Sequence, residues 1–204
     1  IYAALHIDNE ELDSDVEALT ISLDTAAETS PVQDDAESEP NTEAFAALGL
    51  TPVLLKSIAA TGYTNPTPIQ AQAIPAALAG RDLLLSAQTG SGKTAAFVLP
   101  VLHGIHTSKE HTVKRGKNTP KAVKALILTP TRELAHQVSD SIRKYGSSMR
   151  DLFSVPLVGG AAYSGQIRAL KKGVQIIVAT PGRLLDHVGQ KTLDLSAIEI
   201  LVLD

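Results

Sequence analysis

The chain has 204 residues, with 18 Lys and Arg against 22 Asp and Glu, and its formal net charge of −4 argues, on average, against a nucleic-acid partner. That average hides an asymmetry: residues 1–44 hold 13 carboxylates and no Lys or Arg, which leaves residues 45–204 with nine carboxylates and a net charge of +9. The absence of cysteine excludes disulfides, zinc–thiolate sites and iron–sulfur clusters, and no apolar run reaches the roughly 18 residues of a membrane-spanning helix.

The acidic segment at residues 1–44 is predicted to be a disordered tail. It is rich in Ser, Thr, Ala and Glu, and it contains Pro31 and Pro40. A segment of this composition buries too little apolar surface to offset the entropy lost on ordering. The remaining residues, 45–204, are numerous enough for one domain with its own hydrophobic core.

Two short helices are predicted at the start of this domain. Threonine followed by proline is typical of an N-cap with proline at the first helical position, and glycine after an apolar run is typical of a helix end. The two pairs of signals are Thr51-Pro52 with Gly62, and Thr67-Pro68 with Gly80.

Five short apolar runs then alternate with segments of helical spacing. The runs lack strict apolar–polar alternation, which is typical of strands buried on both faces. Between them, Leu134, Val138 and Ile142 recur at the spacing of one helix face. This order predicts an α/β fold, in which a parallel sheet is flanked by helices. The runs are residues 82–87, 125–129, 155–158, 175–180 and 198–203.

Residues 105–123 are predicted to form a long connection without regular structure. The segment carries five basic side chains, and long loops in compact domains are usually functional or disordered. We interpret it as a solvated loop, with an accessory contact to nucleic-acid phosphates as the alternative.

The most specific motif follows the first of the apolar runs and precedes an apolar helical segment, as a P-loop requires. Its glycines let the backbone close around phosphate oxygens, and the N-terminus of the next helix favours an anion. Lys93 would neutralise phosphate charge and Thr94 would ligate Mg²⁺, although Ala87 replaces the glycine that opens the general pattern. The candidate nucleotide-binding residues are Ala87, Gln88, Thr89, Gly90, Ser91, Gly92, Lys93 and Thr94.

Asp204 directly follows the last apolar run. A P-loop enzyme needs an acidic group for its metal ion, and ligand sites of α/β sheets lie at the carboxyl ends of the strands. We therefore interpret Asp204 as the second Mg²⁺ ligand and, together with Lys93, as a catalytic residue.

Six blocks, in order along residues 45–204, resemble the motifs of DEAD-box RNA helicases. The resemblance implies a RecA-like P-loop domain, the first of two such domains in an ATP-dependent RNA helicase. Residues 62–70 resemble the Q motif, with Phe45 at the spacing of the family's upstream aromatic; residues 88–94 resemble motif I, 130–135 motif Ia, 159–160 the Gly-Gly element, 180–183 motif Ib, and Asp204 the first residue of motif II.

Gln70 closes the block that resembles the Q motif. Its amide offers one acceptor and one donor, and it can pair bidentately with adenine N6–H and N7. Guanine presents two acceptors on that edge, so one glutamine would leave a buried polar group unpaired. We therefore interpret Gln70 as selecting ATP over GTP. Phe45 is interpreted as an aromatic face for the adenine, with core packing as the alternative.

The blocks that resemble motif Ia, the Gly-Gly element and motif Ib are interpreted as a sequence-independent RNA-binding surface. Thr131 and Thr180 follow apolar strands, and their hydroxyls are expected to cap the next helices, whose N-termini suit phosphate oxygens. Arg132 and Arg183 are expected either to contact RNA phosphates or to form internal ion pairs. The predicted RNA-binding residues are Pro130, Thr131, Arg132, Gly159, Gly160, Thr180, Pro181, Gly182 and Arg183.

The function implied by the resemblance is RNA-stimulated ATP hydrolysis coupled to local duplex unwinding or ribonucleoprotein remodelling. Because the sequence ends at Asp204, we expect a truncated domain that lacks its second RecA-like domain in cis and binds ATP and RNA weakly without turnover. We also expect a cytoplasmic protein with no membrane contact and no structural metal. The alternatives are a helicase of a neighbouring family acting on DNA, a P-loop nucleotide-binding module with no RNA role, and a non-enzymatic interaction module.

Overall fold

The computed structural model describes residues 2–4, 19–23, 42–108 and 122–204, and for the first two segments it describes the backbone alone. The helices within these ranges are α1 (Glu43–Ala46), α2 (Pro52–Ala59), α3 (Pro68–Leu78), α4 (Lys93–Thr107), α5 (Arg132–Tyr145), α6 (Tyr163–Lys172) and α7 (Pro181–Gly189). The strands are β1 (Tyr2–Ala4), β2 (Leu19–Leu23), β3 (Leu83–Ala87), β4 (Ala125–Leu128), β5 (Ser154–Leu157), β6 (Ile176–Ala179) and β7 (Ile200–Leu203).

The strands of the described segments form one sheet in the order β2-β3-β1-β7-β4-β6-β5. All five apolar runs that predict strands are strands of this sheet, and β7, β4, β6 and β5 pair in parallel. β3 runs in the same direction, because β1 is antiparallel both to β3 and to β7. The carboxyl ends of these five strands therefore lie at one edge, and the predicted RecA-like α/β architecture is confirmed.

Helices cover both faces of the sheet. Along β4, Ala125 and Ile127 pack into one core cluster, which contains the buried faces of α2 to α5. Leu126 and Leu128 point the other way, into a second cluster that contains residues of α6 and α7. Successive side chains of a strand face opposite sides, so continuous apolar runs are what a strand covered on both faces requires.

The helix-start signals are confirmed in position. α2 and α3 begin at Pro52 and Pro68, each directly after the predicted N-cap threonine. The Thr51 hydroxyl makes no capping hydrogen bond, whereas Thr67 and Gln70 form a capping box in which Gln70 Oε1 accepts from Thr67 N–H at 3.0 Å. Proline has no N–H to be satisfied, and its fixed backbone angle favours a helix start at these two positions.

The acidic tail differs from the prediction in two places. β1 and β2 lie within residues 1–44, so the predicted disorder does not hold for these eight residues. The sequence of β2 alternates apolar and polar residues, the pattern of a strand with one face buried, and this local pattern outweighs the acidic composition of the segment. β2 pairs in parallel with β3 at the edge of the sheet. The other residues of 1–41 lie outside the described residues.

The predicted connection at residues 105–123 is only partly described. α4 continues through Thr107, so residues 105–107 of the predicted connection are helical. The basic side chains at residues 109–121 lie outside the described residues. Among the helices that the structure describes, none has both the length and the apolar character needed to cross a membrane.

Candidate functional site

A cavity of about 910 Å³ opens at the carboxyl edge of the sheet, beside β3 and β7. This volume lies within the range of small-molecule and nucleotide sites in proteins. It is bordered by five of the predicted nucleotide-binding residues of the loop after β3, by Phe45 and Gln70, and by Asp204. The five loop residues are Thr89, Gly90, Gly92, Lys93 and Thr94.

The loop between β3 and α4 is shaped for an anion. Gly92 is the N-cap of α4 and has φ +91, and a Cβ at this position would collide with Gln70 Nε2 and Thr67 Oγ1. Only glycine fits both restraints. The first hydrogen bond of α4 runs from Ala96 N–H to the Gly92 carbonyl at 3.1 Å, so the N–H groups of the first turn have no acceptor within the helix. These donors suit phosphate oxygens.

One buried hydroxyl of this loop, Ser91 Oγ, has no hydrogen-bond partner among the described residues. Buried polar groups are almost always paired, so an orphaned group requires an explanation. A polar ligand bound at the loop would supply the missing partner. Three predicted nucleotide-binding residues, Ala87, Gln88 and Ser91, do not border the cavity. Ala87 ends β3, and Ser91 N–H donates to the Gln88 carbonyl at 3.3 Å in the turn that follows.

Lys93, Thr94 and Asp204 border the same cavity and bring one cation, one hydroxyl and one carboxylate together. In the part of the chain that the structure describes, Lys93 has no ion-pair partner. Burial raises the pKa of the Asp204 carboxyl above its ordinary value, and the charge of Lys93 opposes this shift. A bound divalent cation would reverse the cost of burying the ionised carboxylate.

Gln70 is held in a defined orientation. Its Oε1 accepts a hydrogen bond from Thr67 N–H at 3.0 Å, and its Nε2 donates to the Gly92 carbonyl at 3.1 Å. Because an N–H can only donate and a carbonyl can only accept, the positions of the amide oxygen and nitrogen are fixed. One lone pair of Oε1 and one hydrogen of Nε2 remain available. The amide therefore joins the start of α3 to the phosphate loop and still presents one acceptor and one donor.

The aromatic residues of the cavity differ in exposure. Phe45 is 3% exposed and belongs to the main core cluster, so the alternative of core packing is confirmed, although the residue also borders the cavity. Tyr63, which the sequence motifs did not single out for the site, also borders the cavity and is 47% exposed. Its ring lies 6.4 Å from that of Tyr145 and 4.7 Å from the Lys144 ammonium. Burial, with a contribution from Tyr63, raises the pKa of Tyr145 to about 12, so this hydroxyl keeps its proton at neutral pH.

A second, shallower cavity of about 450 Å³ lies at the same edge of the sheet, beside the ends of β4, β5 and β6. We call it the interface groove. It brings together seven of the nine residues predicted to bind RNA; Gly160 and Pro181 do not border it. The acidic residues Glu133 and Asp186 also border it and were not predicted. The seven residues are Pro130, Thr131, Arg132, Gly159, Thr180, Gly182 and Arg183.

The loop after β5 turns its carbonyls toward arginine side chains. Arg132 Nη1 donates to the Gly159 carbonyl and Arg183 Nη1 donates to the Ala161 carbonyl, each at 3.3 Å. Gly160 has φ +80, and a Cβ there would collide with Arg132 Nη1. The described residues offer no acceptor to the backbone N–H groups of Gly159, Gly160 and Ala161. Successive free N–H groups in such a turn form an anion-binding concavity.

Arg183 is mainly engaged within the protein. Its Nη1 also donates to Gln166 Oε1 at 3.1 Å, its Nε lies 3.7 Å from Asp186 Oδ2, and its side chain is 15% exposed. Its guanidinium carbon lies 5.3 Å from the centre of the Tyr163 ring. Of the two expected roles, the structure thus shows the internal ion pair.

The two threonines expected to cap helices behave differently. Thr131 Oγ1 accepts a hydrogen bond from Leu134 N–H at 3.2 Å and caps α5, as predicted. Thr180 occupies the N-cap position of α7, but its side chain makes no capping hydrogen bond, so that prediction is wrong. Pro181 follows directly at the first helical position, where its fixed backbone angle favours a helix start without a side-chain cap. The Thr180 hydroxyl instead borders the interface groove.

Behind the groove lies a polar network that the sequence motifs did not reveal. Gln166 and His187 are buried and hydrogen-bonded to each other, with Gln166 Oε1 and His187 Nε2 2.9 Å apart. The one sequence signal is the position of Gln166, which shares a helix face with Tyr163 and Leu170. A polar residue on a core-facing stripe indicates a buried hydrogen-bond network, but it does not identify the partners.

Pro130 borders both cavities, so the segment between β4 and α5 is common to the two sites. The larger, nucleotide-sized cavity lies on one side of this segment and the interface groove on the other. A change of conformation in the segment between β4 and α5 would alter both sites. This is the physical requirement for coupling the binding of two ligands.

Comparisons with known proteins agree with this arrangement. A family model described as DEAD/DEAH box helicase matches residues 67–204. The chain is 48% identical over 160 residues to the ATP-dependent RNA helicase DeaD of Buchnera aphidicola subsp. Schizaphis graminum, 45% to that of Mycobacterium tuberculosis and 49% to that of Escherichia coli K12. Each alignment covers 78% of this chain, which spans about a quarter of the length of these relatives.

Proposed function

We propose that this chain, which belongs to the DEAD/DEAH box helicase family, forms the ATP-binding RecA-like domain of an ATP-dependent RNA helicase. The observation that carries the proposal is the shared segment at Pro130, which separates a nucleotide-sized pocket from a groove formed by three of the motif-like blocks. An enzyme that couples ATP hydrolysis to RNA remodelling needs these two sites in contact with one movable segment.

ATP would bind with its phosphates on the loop between β3 and α4. The free N–H groups of the first turn of α4 are donors for phosphate oxygens, and the unpaired Ser91 hydroxyl lies in the same loop. Lys93 supplies a compact positive charge for the β- and γ-phosphates. The positive φ of Gly92 lets the backbone approach the ligand closely.

Adenine specificity would come from Gln70. Its fixed amide presents one acceptor and one donor, which match the N6–H donor and N7 acceptor of adenine. Guanine would place its O6 acceptor against an amide oxygen that cannot rotate away without losing the Thr67 and Gly92 hydrogen bonds. Phe45 and Tyr63 border the cavity and supply apolar surface for a base.

Mg²⁺ would be held by Thr94 Oγ1 and Asp204, with water and phosphate oxygens completing its shell. The ion would neutralise charge that develops on the transferred phosphoryl group. Asp204 suits this role because partial burial disfavours its ionised form when no cation is nearby. A bound Mg²⁺ would stabilise that ionised carboxylate.

RNA would bind in the interface groove through its sugar-phosphate backbone. The donors there are backbone N–H groups of the Gly159–Gly160 turn, the N-termini of α5 and α7, Arg132, and the exposed part of the Arg183 guanidinium. Such contacts carry no sequence information. Because Glu133 and Asp186 border the same groove, the groove is less positive than its arginines suggest, and we expect weak RNA binding by this chain alone.

We further propose that the 204-residue chain binds ATP without appreciable turnover. Apart from two tyrosines, the titratable residues that border the nucleotide cavity within the described segments are Lys93 and Asp204. Phosphoryl transfer needs additional positive charge on the transition state, which is typically supplied by arginine. In the relatives, about three quarters of the length lies outside the matched region, and we propose that this region supplies that charge.

The experiment that tests the proposal measures binding of two ligands by this chain. A fluorescent ATP analogue with Mg²⁺ and a labelled 12-nucleotide RNA are titrated separately, with GTP and single-stranded DNA of the same sequence as competitors. We expect ATP to compete better than GTP, and RNA to compete better than DNA. Equal competition by DNA would favour a DNA-directed helicase, and absence of RNA binding at low salt would leave a nucleotide-binding module.

A further inference from the structure

Gln166, a buried residue of α6, joins three separate elements behind the interface groove. Its Nε2 donates to the Val158 carbonyl at 2.9 Å, directly before the Gly159–Gly160 turn. Its Oε1 accepts from Arg183 Nη1 at 3.1 Å and lies 2.9 Å from His187 Nε2, both in α7. Only 5% of the residue is exposed, so it cannot itself reach a ligand in the groove.

The hydrogen-bond partners fix the orientation of this amide. Arg183 can only donate and the Val158 carbonyl can only accept, so Oε1 must face α7 and Nε2 must face the turn. His187 therefore carries its hydrogen on Nε2, and we assign this tautomer from the network. His187 Nδ1 then accepts from the Thr192 hydroxyl, 2.8 Å away, and the His187 carbonyl, 3.1 Å away, shares the same hydrogen. Each polar atom of the buried amide is satisfied, which makes the network rigid.

Arg183 depends on this network for its position. Gln166 Oε1 holds one end of its guanidinium, while the Tyr163 ring, which also stacks on His187 at 4.3 Å, lies beneath it. The remaining contacts of Arg183 are longer: 3.3 Å to the Ala161 carbonyl and 3.7 Å to Asp186. Without Gln166, the guanidinium would lose its shortest hydrogen bond and would be free to pair more closely with Asp186.

We propose that Gln166 is a positioning residue of the RNA site: it sets the place of the Arg183 guanidinium at the groove without touching RNA. The inference rests on the proposed RNA-binding function. A side chain that fixes a groove-lining cation raises affinity because the cation is already ordered before the ligand arrives. Gln166 acts through Arg183, so its effect on RNA affinity disappears when Arg183 is absent.

A double-mutant cycle on RNA affinity tests this directly. The substitutions are Gln166→Met, which keeps the length of the side chain and removes its hydrogen bonds, Arg183→Ala, and both together. Gln190→Met, at an exposed glutamine that ends α7, is the matched control. Each variant is measured for the dissociation constant of a labelled single-stranded RNA, for that of a fluorescent ATP analogue with Mg²⁺, and for Tm.

We expect Gln166→Met to weaken RNA binding about fivefold or more in the wild-type background and less than twofold in the Arg183→Ala background. ATP affinity should stay within twofold, and Gln190→Met should change neither affinity. The proposal is overturned if Gln166→Met weakens RNA binding equally in both backgrounds, or if ATP and RNA affinities fall together as they would from general loss of structure. Absence of RNA binding by the wild-type chain would instead overturn the proposed function and this inference with it.

If Gln166→Met does not fold, Gln166→Glu takes its place in the cycle. A carboxylate keeps the acceptor for Arg183 and removes the donor to Val158. We then expect RNA affinity within twofold of wild type. We also expect NMR to show a raised pKa of His187, because the new carboxylate faces its Nε2–H alongside Arg183, Asp186 and Tyr163. A loss of RNA affinity in this variant despite an intact Arg183 contact would contradict the positioning role.

Discussion

At the scale of single residues, Gln70 does two tasks with one amide. It ties the start of α3 to the Gly92 carbonyl, and its remaining donor and acceptor match one edge of adenine. The first task restrains the phosphate loop, and we propose that the second selects the base. The same side chain therefore links base recognition to the geometry of the phosphate site.

Gln70→Ala is expected to reduce the preference for ATP over GTP about tenfold, because one bidentate base contact is lost. Competition of ATP and GTP against a fluorescent ATP analogue measures the ratio of their affinities. Gln190→Ala is the control at an exposed glutamine. An unchanged ratio in Gln70→Ala would show that the base is selected elsewhere.

Asp204 gives a prediction on pH. Burial raises its pKa above the ordinary value of 3.8, so the folded state binds the proton more tightly than the unfolded chain. Its stabilising contribution is therefore complete below about pH 3.8 and is lost as pH rises through the folded-state pKa. At pH 7 the ionised carboxylate opposes folding, and Asp204→Asn should raise the Tm of the ligand-free chain.

Thermal unfolding between pH 4 and 8 checks this prediction. The difference in Tm between Asp204→Asn and wild type should shrink as pH falls, and Mg²⁺ with ATP should stabilise wild type but not the variant. Asp140→Asn, at an exposed carboxylate paired with Arg143 at 3.2 Å, is the control and should change little. A lower Tm for Asp204→Asn at pH 7 would contradict the account.

The residues of the nucleotide site were largely predictable, and the network behind the groove was not. Lys93, Thr94 and Gln70 lie in contiguous blocks whose chemistry depends on local spacing. Gln166 gains its role from partners that are 8, 17 and 21 residues away along the chain, and no local pattern specifies such contacts. Arg183 was left open between two roles for the same reason.

At the scale of elements, the interface groove includes the N-cap residues of two helices. The α5 N-cap, Thr131, both borders the groove and accepts the Leu134 N–H. The α7 N-cap, Thr180, borders the groove without capping. Periodicity predicts where the two helices start, but the bond made by each hydroxyl depends on the rotamer, which neighbouring residues determine.

Thr131→Ala is expected to lower the free energy of unfolding by about 1 kcal/mol, the usual cost of losing a side-chain cap. Chemical denaturation by urea measures it. Thr180→Ala is the comparison, and its effect should be smaller because no cap is lost. RNA affinity should fall in both variants if both hydroxyls contact phosphate. A larger loss of stability in Thr180→Ala than in Thr131→Ala would contradict this assignment.

The sequence predicts the five parallel strands of the sheet, but it does not predict which strands pair with β3. The five apolar runs predict β3 to β7 within two residues at each end. β1 is antiparallel and lies between β3 and β7. Strand order depends on long-range pairing, and a three-residue strand leaves no periodic signal in the sequence.

At the scale of the whole molecule, charge is divided between the acidic segment and the domain. Residues 1–41 hold 12 carboxylates and no Lys or Arg, and none of these carboxylates lies in β1 or β2. We propose that a segment of this charge would compete with RNA for basic surfaces over distances of about one Debye length, about 8 Å at physiological salt.

Replacing these 12 carboxylates by their amides changes the formal net charge from −4 to +8 and leaves the residues of both strands in place. We expect RNA affinity to rise at low salt and to converge with that of the wild type at high salt, because the effect is electrostatic. Fluorescence anisotropy at 50 and 300 mM salt measures it. Equal affinities at both salt concentrations would show that the segment does not screen the domain.

We propose that one edge of the sheet carries an ATP pocket and an RNA groove on either side of Pro130. The most direct measurement is an NMR titration of the ¹⁵N-labelled chain, first with ATP and Mg²⁺ and then with single-stranded RNA. We predict that ATP shifts the amide signals of Thr89–Thr94 and Gln70, while RNA shifts those of Thr131, Gly159–Ala161 and Gly182–Arg183. RNA shifts confined to the phosphate loop, or none in the groove, would contradict the claim.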